Sequence, residues 1–411
     1  MQKKLITLAV AGALGAPILA YAQASTVEIY GRANLAWQNW RATGSSVVGG
    51  NLASRTRIAD SGSRIGFRIN ENLGGGLRAF AVIESGANID TGTGFGQSGT
   101  GANTSTGTLA TRTSYLGLGG SWGDVRMGRQ DVYWVSGPLT QTGPNYVDQT
   151  ADFITDPGIL GIPAARNNNV LSYNSPTWSG FNFTVSYSPN ATEAATYTGT
   201  GQAKDDLYGI TLRYNAPQFY VQGDWARRRN GFASGAGATA AAAAATFVTP
   251  ATGAGRIVGM KAGLGWRYQP GAMISFLAER LRNDNVAAIA GIATAGDDLK
   301  QNIYLLNWEH TFGQWAVYAL YAWSSSVKGL TGGAGATDPG NTKSKGYTLA
   351  AKYHFSKRTG AYISYSQIRN QANQWADASG GGMSSAGAGG IAAGNAGADP
   401  RNIGIGMLHN F

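Results

Sequence analysis

Val27-Glu28-Ile29-Tyr30-Gly31-Arg32-Ala33-Asn34-Leu35-Ala36-Trp37 alternates along its length, with Val27, Ile29, Ala33, Leu35 and Trp37 on one face and Glu28, Arg32 and Asn34 on the other. A period of two describes a β-strand with one apolar and one polar face. The pattern returns in Arg64 to Ile69, Leu77 to Glu84, Phe181 to Tyr187, Tyr208 to Tyr214, Val258 to Tyr268, Trp315 to Trp323 and Tyr347 to Phe355. Further candidates begin near Thr113, Asp124, Asn169, Phe219, Met273, Leu299, Gly360 and Asn402, about sixteen strands in all, with the face at Thr113 and Met273 left open.

The connections sort by length. Those near residues 71–76, 120–123, 176–180, 216–218, 269–272, 312–313 and 356–359 are tight, with Gly, Pro, Asn or Ser at turn positions. Residues 40–63, 86–112, 131–168, 188–206, 229–255, 283–298, 326–344 and 369–401 form long connections rich in Gly, Ala or Ser. Both termini fall on the short side, which is the asymmetry of an outer-membrane barrel with short periplasmic turns and long external loops. About ten residues at ~3.4 Å each, tilted ~40°, rise roughly 26 Å, the height of the apolar band of such a barrel. Aromatics near strand ends, among them Trp37, Phe181, Tyr187, Trp266, Tyr268, Trp315, Trp323, Tyr353 and Phe355, suit its two interfaces. The expected fold is an all-β, sixteen-stranded antiparallel transmembrane barrel. A secreted soluble sandwich or propeller is the alternative, but its loops need not sort by length and no propeller period is visible.

Composition supports strands over helices. Only 13% of the 411 residues are charged and 61 are Gly, against ~25% charged and ~7% Gly in an ordinary soluble domain. A mean hydropathy of -0.17 speaks against a bundle of apolar helices. The absence of Cys excludes disulfides, thiolate metal sites and a Cys nucleophile. The formal charge of +10 points to anionic partners. Met1-Gln2-Lys3-Lys4, the apolar run from Leu5 to Leu19 and Ala20-Tyr21-Ala22 read as a signal peptide over residues 1–22, with Ala24 as the rival cleavage site and 23–411 as the barrel domain. The run falls short of the ~20 residues of a spanning helix.

Several strings resemble chemistry without completing it. Gly117-Leu118-Gly119-Gly120-Ser121-Trp122-Gly123 lacks the Lys-Ser/Thr and the helix of a phosphate loop and reads as a tight turn. His310, His354 and His409 fall on different strands, with no Ser and carboxylate at triad spacing. The run Ala240 to Ala245 fits a helical turn or low-complexity coil equally well. A channel rather than an enzyme is expected, without cofactor, metal or nucleic-acid partner.

The basic residues carry more. Arg32, Arg64, Arg68, Arg78 and Arg126 fall on the polar face of the first strands. A charge on the lipid face costs ~2–4 kcal/mol at the midplane, so parity sends these guanidiniums into the lumen. The connection Asp131 to Asn168 carries Asp131, Asp148, Asp152 and Asp156, with Arg166 its only base. Folded into the barrel, it would set an acidic edge against an arginine wall.

Ser63-Arg64-Ile65-Gly66-Phe67-Arg68, Glu71-Asn72-Leu73-Gly74-Gly75-Gly76-Leu77-Arg78-Ala79, Trp122-Gly123-Asp124-Val125-Arg126-Met127-Gly128-Arg129-Gln130, Asn168-Asn169-Val170-Leu171-Ser172-Tyr173-Asn174-Ser175-Pro176 and the terminal His409-Asn410-Phe411 stand in this order. As an ordered set they resemble the general diffusion porins of Gram-negative bacteria, from about Thr26 to Phe411, and the proteobacterial type that favours anions most of all.

The resemblance implies a homotrimer in the outer-membrane lipid, with the third external loop, residues 131–168, folded inward as a constriction. By position Arg32, Arg64, Arg129 and Arg166 match the basic wall of that constriction, to which parity adds Arg68 and Arg126. Parity also puts Arg129 with Val125 and Met127, so it reaches the lumen only if the chain bends there. This sequence departs from the pattern in that Asn174 stands where enteric relatives carry Arg and the loop lacks their Pro-Glu-Phe-Gly-Gly string; the loop's own Asp148, Asp152 and Asp156 are taken as the candidate acidic edge. The aromatic terminus, with His409 and Phe411 on one face, matches the signal read by the barrel-assembly machinery. The expected function is passive diffusion of small hydrophilic solutes and ions, with preference for anions; a substrate-specific channel for sugars or acidic solutes is the alternative.

Overall fold

In a computed structural model of the protein the alternating segments form antiparallel strands, nearly every one bonded to its neighbour along the chain. The structure describes residues 25–87, 89–90, 109–133, 166–189, 206–229, 255–284, 296–330, 341–374 and 395–411. The strands are β1 (Thr26–Thr43), β2 (Leu52–Asp60), β3 (Arg64–Gly74), β4 (Leu77–Gly86), β5 (Ser114–Gly120), β6 (Gly123–Asp131), β7 (Arg166–Asn174), β8 (Phe181–Ser188) and β9 (Leu207–Asn215). They continue as β10 (Phe219–Arg229), β11 (Arg256–Gln269), β12 (Ala272–Asp284), β13 (Leu299–Phe312), β14 (Trp315–Ser324), β15 (Ser344–His354), β16 (Thr359–Asn370) and β17 (Asp399–Asn410).

The sheet closes where β1 bonds β17, from Arg32 opposite Asn410 to Thr43 opposite Asp399. On its other side β1 bonds β2 through its upper length and β3 through its lower length, with Leu35 opposite Asp60 and Arg32 opposite Arg64. β2 and β3 are therefore successive lengths of one barrel strand, and the seventeen segments make a closed barrel of sixteen strands. Asp60 makes the break: its carboxylate accepts from the Gly62 and Ser63 amides at 2.9 Å, a local turn that competes with the ladder. Closure pairs the edge groups that an open sheet would expose to lipid.

One sequence expectation changes here. Residues 40–63 read as a long connection, but β1 runs on to Thr43 and β2 begins at Leu52, so the turn shrinks to residues 44–51. Leu52-Ala53-Ser54-Arg55-Thr56-Arg57 carries too few apolar residues to reveal a strand. Its strand state rests on pairing with β1.

Burial is inverted relative to a soluble protein. On β1 Val27 and Ile29 are 64% and 60% exposed, while Arg32, Asn34 and Gln38, which alternate with the outward positions, are 3%, 0% and 1% exposed. Apolar side chains thus face outward and polar ones inward, as the bilayer requires. Aromatic pairs mark both edges of the outer face. Tyr187–Tyr208 at 5.0 Å and Tyr304–Trp323 at 5.2 Å lie toward the long connections, Trp266–Tyr268 at 5.8 Å and Trp315–Tyr353 at 4.9 Å toward the short turns. Three inward rings, Tyr30, Phe80 and Tyr362, each lie on the glycine opposite: Gly66, Gly117 and Gly406. A Cβ at any of these glycines would collide with the ring, so glycine lets a large side chain lie flat on the wall and leaves the lumen open.

Candidate functional site

Arg32 and Arg64 stand directly opposite each other on β1 and β3, both inward. Glu84, near the upper end of β4, gathers the groups beside them. Tyr30 donates its hydroxyl to Glu84 at 3.1 Å, Arg112 its Nε at 2.6 Å, and Arg64 Nε lies 3.7 Å away. The Arg112 amide also donates to the Glu84 carbonyl at 2.9 Å, which fixes the chain entering β5. Asp131, the last residue of β6, pairs with Arg166 at 3.2 Å and accepts from the Thr113 hydroxyl at 2.9 Å.

These pairs form one electrostatic group. Arg32, Arg64 and Arg112 repel one another, Arg112 also repels Arg129 and Arg166, and Asp60 attracts Arg32. Among the described residues of this group, five guanidiniums meet the carboxylates of Glu84, Asp131 and Asp60. Buried charge must be compensated, and the surplus here is positive, so the wall offers a passing anion an attractive potential.

A second tier lies toward the short turns. Arg68 is four residues below Arg64 on β3, a drop of ~10 Å at ~3.4 Å per residue and ~40° tilt. Its guanidinium lies 3.9 Å from the Tyr30 ring centre and 3.4 Å from Glu28. Arg126 is held by Asp124 at 2.6 Å and lies 5.0 Å from the Tyr115 ring centre; Arg78 lies 4.6 Å from that of Phe80. These guanidiniums are more exposed than the upper ones and lie against rings.

Across the lumen the inner face of β10 to β13 carries Asp224, Glu279 and Glu309, with Lys261 on β11 and Lys352 on β15. Val132 and Tyr133, just past β6, are buried at 4% and 3% against this wall. They cluster with Leu207 of β9 and Ala226 of β10, and the Lys261 ammonium donates to the Tyr133 carbonyl at 2.5 Å. Gly209 and Gly259 provide the sockets: a Cβ on either would strike Val132 or Tyr133. The chain leaving β6 thus points to the inner face of strands β9 to β11.

The structure places Arg32, Arg64 and Arg166 in one upper group, whereas Arg68 and Arg126 belong to the lower tier. Arg129 stands where the β6–β7 register shifts between Gly128 and Gln130, and it donates to the Asn168 carboxamide oxygen. Asp148, Asp152 and Asp156, like residues 1–22 and Ala240 to Ala245, lie outside the described residues. His409 bonds the Thr359 hydroxyl at 2.9 Å, and its ring stacks 6.4 Å from that of Phe411. Sequence reasoning missed Arg112, which it left in the connection 86–112, and Glu84, which parity with Arg78 would have placed inside. It also missed the acids on β10 to β13, whose spacing on separate strands carries no local signal.

A model of the Gram-negative porin family matches residues 7–373. The chain is 26% identical over 385 residues to a major outer membrane protein P.IB of Neisseria gonorrhoeae, covering 89% of this chain and 92% of that one. Another gonococcal protein of the same name is 30% identical over 229 residues, and that match spans 54% of this chain and 56% of the relative. An anion-selective porin from Comamonas acidovorans superposes with a TM-score of 0.68 at 22% identity, over 94% of this chain and all of that one, a likeness of fold.

Proposed function

The chain belongs to the Gram-negative porin family, and on that premise we propose that its arginine group sets an anion preference in an outer-membrane channel. The protein is an outer-membrane barrel through which small hydrophilic solutes and ions diffuse passively. It is a channel rather than an enzyme, and it works as an oligomer. The observation that carries the anion preference is the single electrostatic group of Arg32, Arg64, Arg112, Arg129 and Arg166 around Glu84, Asp131 and Asp60.

In this reading the oligomer is a homotrimer seated in outer-membrane lipid, residues 1–22 are a signal peptide, and 131–168 form the constriction loop. The burial of Val132 and Tyr133 supports the inward course of that loop. Asp148, Asp152 and Asp156 supply its acidic edge, while Arg68 and Arg126 act as a lower tier that passes anions to and from the upper group. His409 and Phe411 carry the signal for the barrel-assembly machinery.

Efflux from proteoliposomes tests this reading. A small carboxylate should leave faster than an ammonium ion of the same size, with a neutral sugar between them. Equal rates for the two ions, or a faster cation, would overturn the anion preference while leaving the channel itself in place.

A further inference from the structure

At the short-turn mouth the inner face of β11 to β13 carries a cavity that lies away from the arginine group. It holds about 440 Å³ between the β9–β10 and β11–β12 turns, and Pro217, Arg267, Pro270, Met273 and Glu309 are among the residues that line it. That size suits a small organic ligand. The backbone shapes both of its sides. The β11–β12 register shifts between Trp266 and Gln269, and the Arg267 amide bonds across to the Gln218 carbonyl at 2.7 Å. On the other side the Thr311 amide donates to the Gly271 carbonyl at 2.8 Å, which holds the β11–β12 turn as a lip.

Arg267, Met273 and Glu309 stand in one row across three strands. Met273 is opposite Glu309, and Trp266 is opposite Ile274, so Arg267 comes beside Met273. Met273 is 5% exposed and forms an apolar floor between the two charges. With strands ~4.8 Å apart, the backbones of Arg267 and Glu309 lie ~10 Å from each other.

Neither charge is neutralised within the wall. Among the described residues the Glu309 carboxylate makes no hydrogen bond or ion pair, and Lys352 attracts it only through space from β15. The Arg267 guanidinium turns away from Glu309 toward the β9–β10 turn. It donates to the Ala216 carbonyl at 2.8 Å, the Phe219 carbonyl at 3.5 Å and Asn215 Oδ1 at 3.0 Å. These acceptors are neutral, so its charge stays uncompensated, and a guanidinium has further N–H donors to offer. A carboxylate and a guanidinium at opposite ends of a half-apolar cavity each gain from an opposite charge that a ligand brings.

We propose that this cavity is a subsite for short zwitterionic peptides at the periplasmic mouth. The terminal ammonium binds Glu309, the terminal carboxylate binds Arg267, and apolar side chains lie on Met273, Pro217 and Pro270. Length selects the class. An extended dipeptide spans ~7 Å, and a charge-assisted hydrogen bond of ~2.8 Å at each end extends its reach to ~13 Å. A single amino acid is one residue too short to meet both charges. A simple anion is repelled by Glu309 and a simple cation by Arg267. The inference rests on the protein being an outer-membrane channel and is independent of its ion preference.

Isothermal titration calorimetry of the full protein in mild detergent tests it, with leucyl-leucine as probe and its N-acetyl and C-terminal amide forms as references. Wild type should bind the free dipeptide at least about tenfold more tightly than either blocked form, since each blocked form loses one charge-assisted bond. Glu309→Gln should weaken the free dipeptide by the same factor and leave the N-acetyl form unchanged. Circular dichroism and the heat-stable oligomer show that the variant is folded. If it does not fold, free leucine on the wild type takes its place, and it should bind at least about tenfold more weakly than the dipeptide. No binding of the dipeptide, equal binding of all three forms, leucine as tight as the dipeptide, or undiminished affinity in folded Glu309→Gln would overturn the proposal. Each of these results would leave the anion preference standing, because the efflux ratio reads that separately.

Discussion

Gly31 and Phe411 tie the first strand of the barrel to the last. The Gly31 amide donates to the Phe411 carbonyl at 3.0 Å, the Phe411 amide returns a bond to Gly31 at 3.1 Å, and the Phe411 ring covers the space a Cβ at Gly31 would need. The last residue thus extends the β1–β17 seam by one rung beyond Asn410. The ring is 46% exposed and faces the lipid edge.

Gly31→Val should destabilise the barrel by ~1–3 kcal/mol, because a buried overpacked side chain must push ring or backbone aside. Equilibrium urea unfolding in detergent micelles measures it. An unchanged midpoint would mean that the ring swings away at no cost.

Deleting Phe411 should lower the yield of heat-stable oligomer in outer-membrane fractions more than it lowers the stability of barrels refolded in vitro. A recognition role in assembly predicts that split, whereas a purely structural role of the seam predicts equal loss in both. Undiminished oligomer in the membrane would count against the recognition role.

Gly66→Val and Gly117→Val should each reduce single-channel conductance, since the Tyr30 and Phe80 rings must leave the wall and enter the lumen. Planar-bilayer recording reads the step size. Conductance equal to wild type from a folded variant would mean that the rings find another place along the wall.

Glu84→Gln should strengthen anion preference. It removes the carboxylate that Arg64 and Arg112 share, and a unit charge ~6 Å from an ion is worth ~0.7 kcal/mol at the dielectric of water and ~2.8 at an effective value of 20. The expected change is several-fold in the permeability ratio. Arg64→Glu should move the ratio toward cations, and Arg213→Glu on the inner face of β9, at the short-turn end, should move it less. Equal shifts from the two arginine variants would place the selective charge elsewhere.

The barrel was legible because a strand spanning a bilayer must alternate, and most strands obeyed that constraint residue by residue. The departures have local causes. Leu52 to Asp60 is a strand by virtue of its partner β1, since its own residues are nearly all small or polar. Arg112 lies two residues before β5 begins at Ser114 and shares the parity of the outward Leu116 and Leu118, so parity gave no sign of a guanidinium inside the barrel. The upper arginine group was legible in part, because Arg32 and Arg64 lie on alternating strands. Glu84 and Asp131, which decide how much of that charge remains, gather their partners only through cross-strand contacts. The inward turn at Val132 and Tyr133 depends on Gly209 and Gly259, glycines on strands far along the chain.

Zero-current potential across a KCl gradient, recorded on the purified protein in a planar bilayer, tests the central claim most directly. The arginine group predicts a potential of the sign set by faster chloride, shrinking as salt rises, because the Debye length falls from ~8 Å at 0.15 M to ~3 Å at 1 M. A potential of the sign set by faster potassium in dilute salt would contradict it.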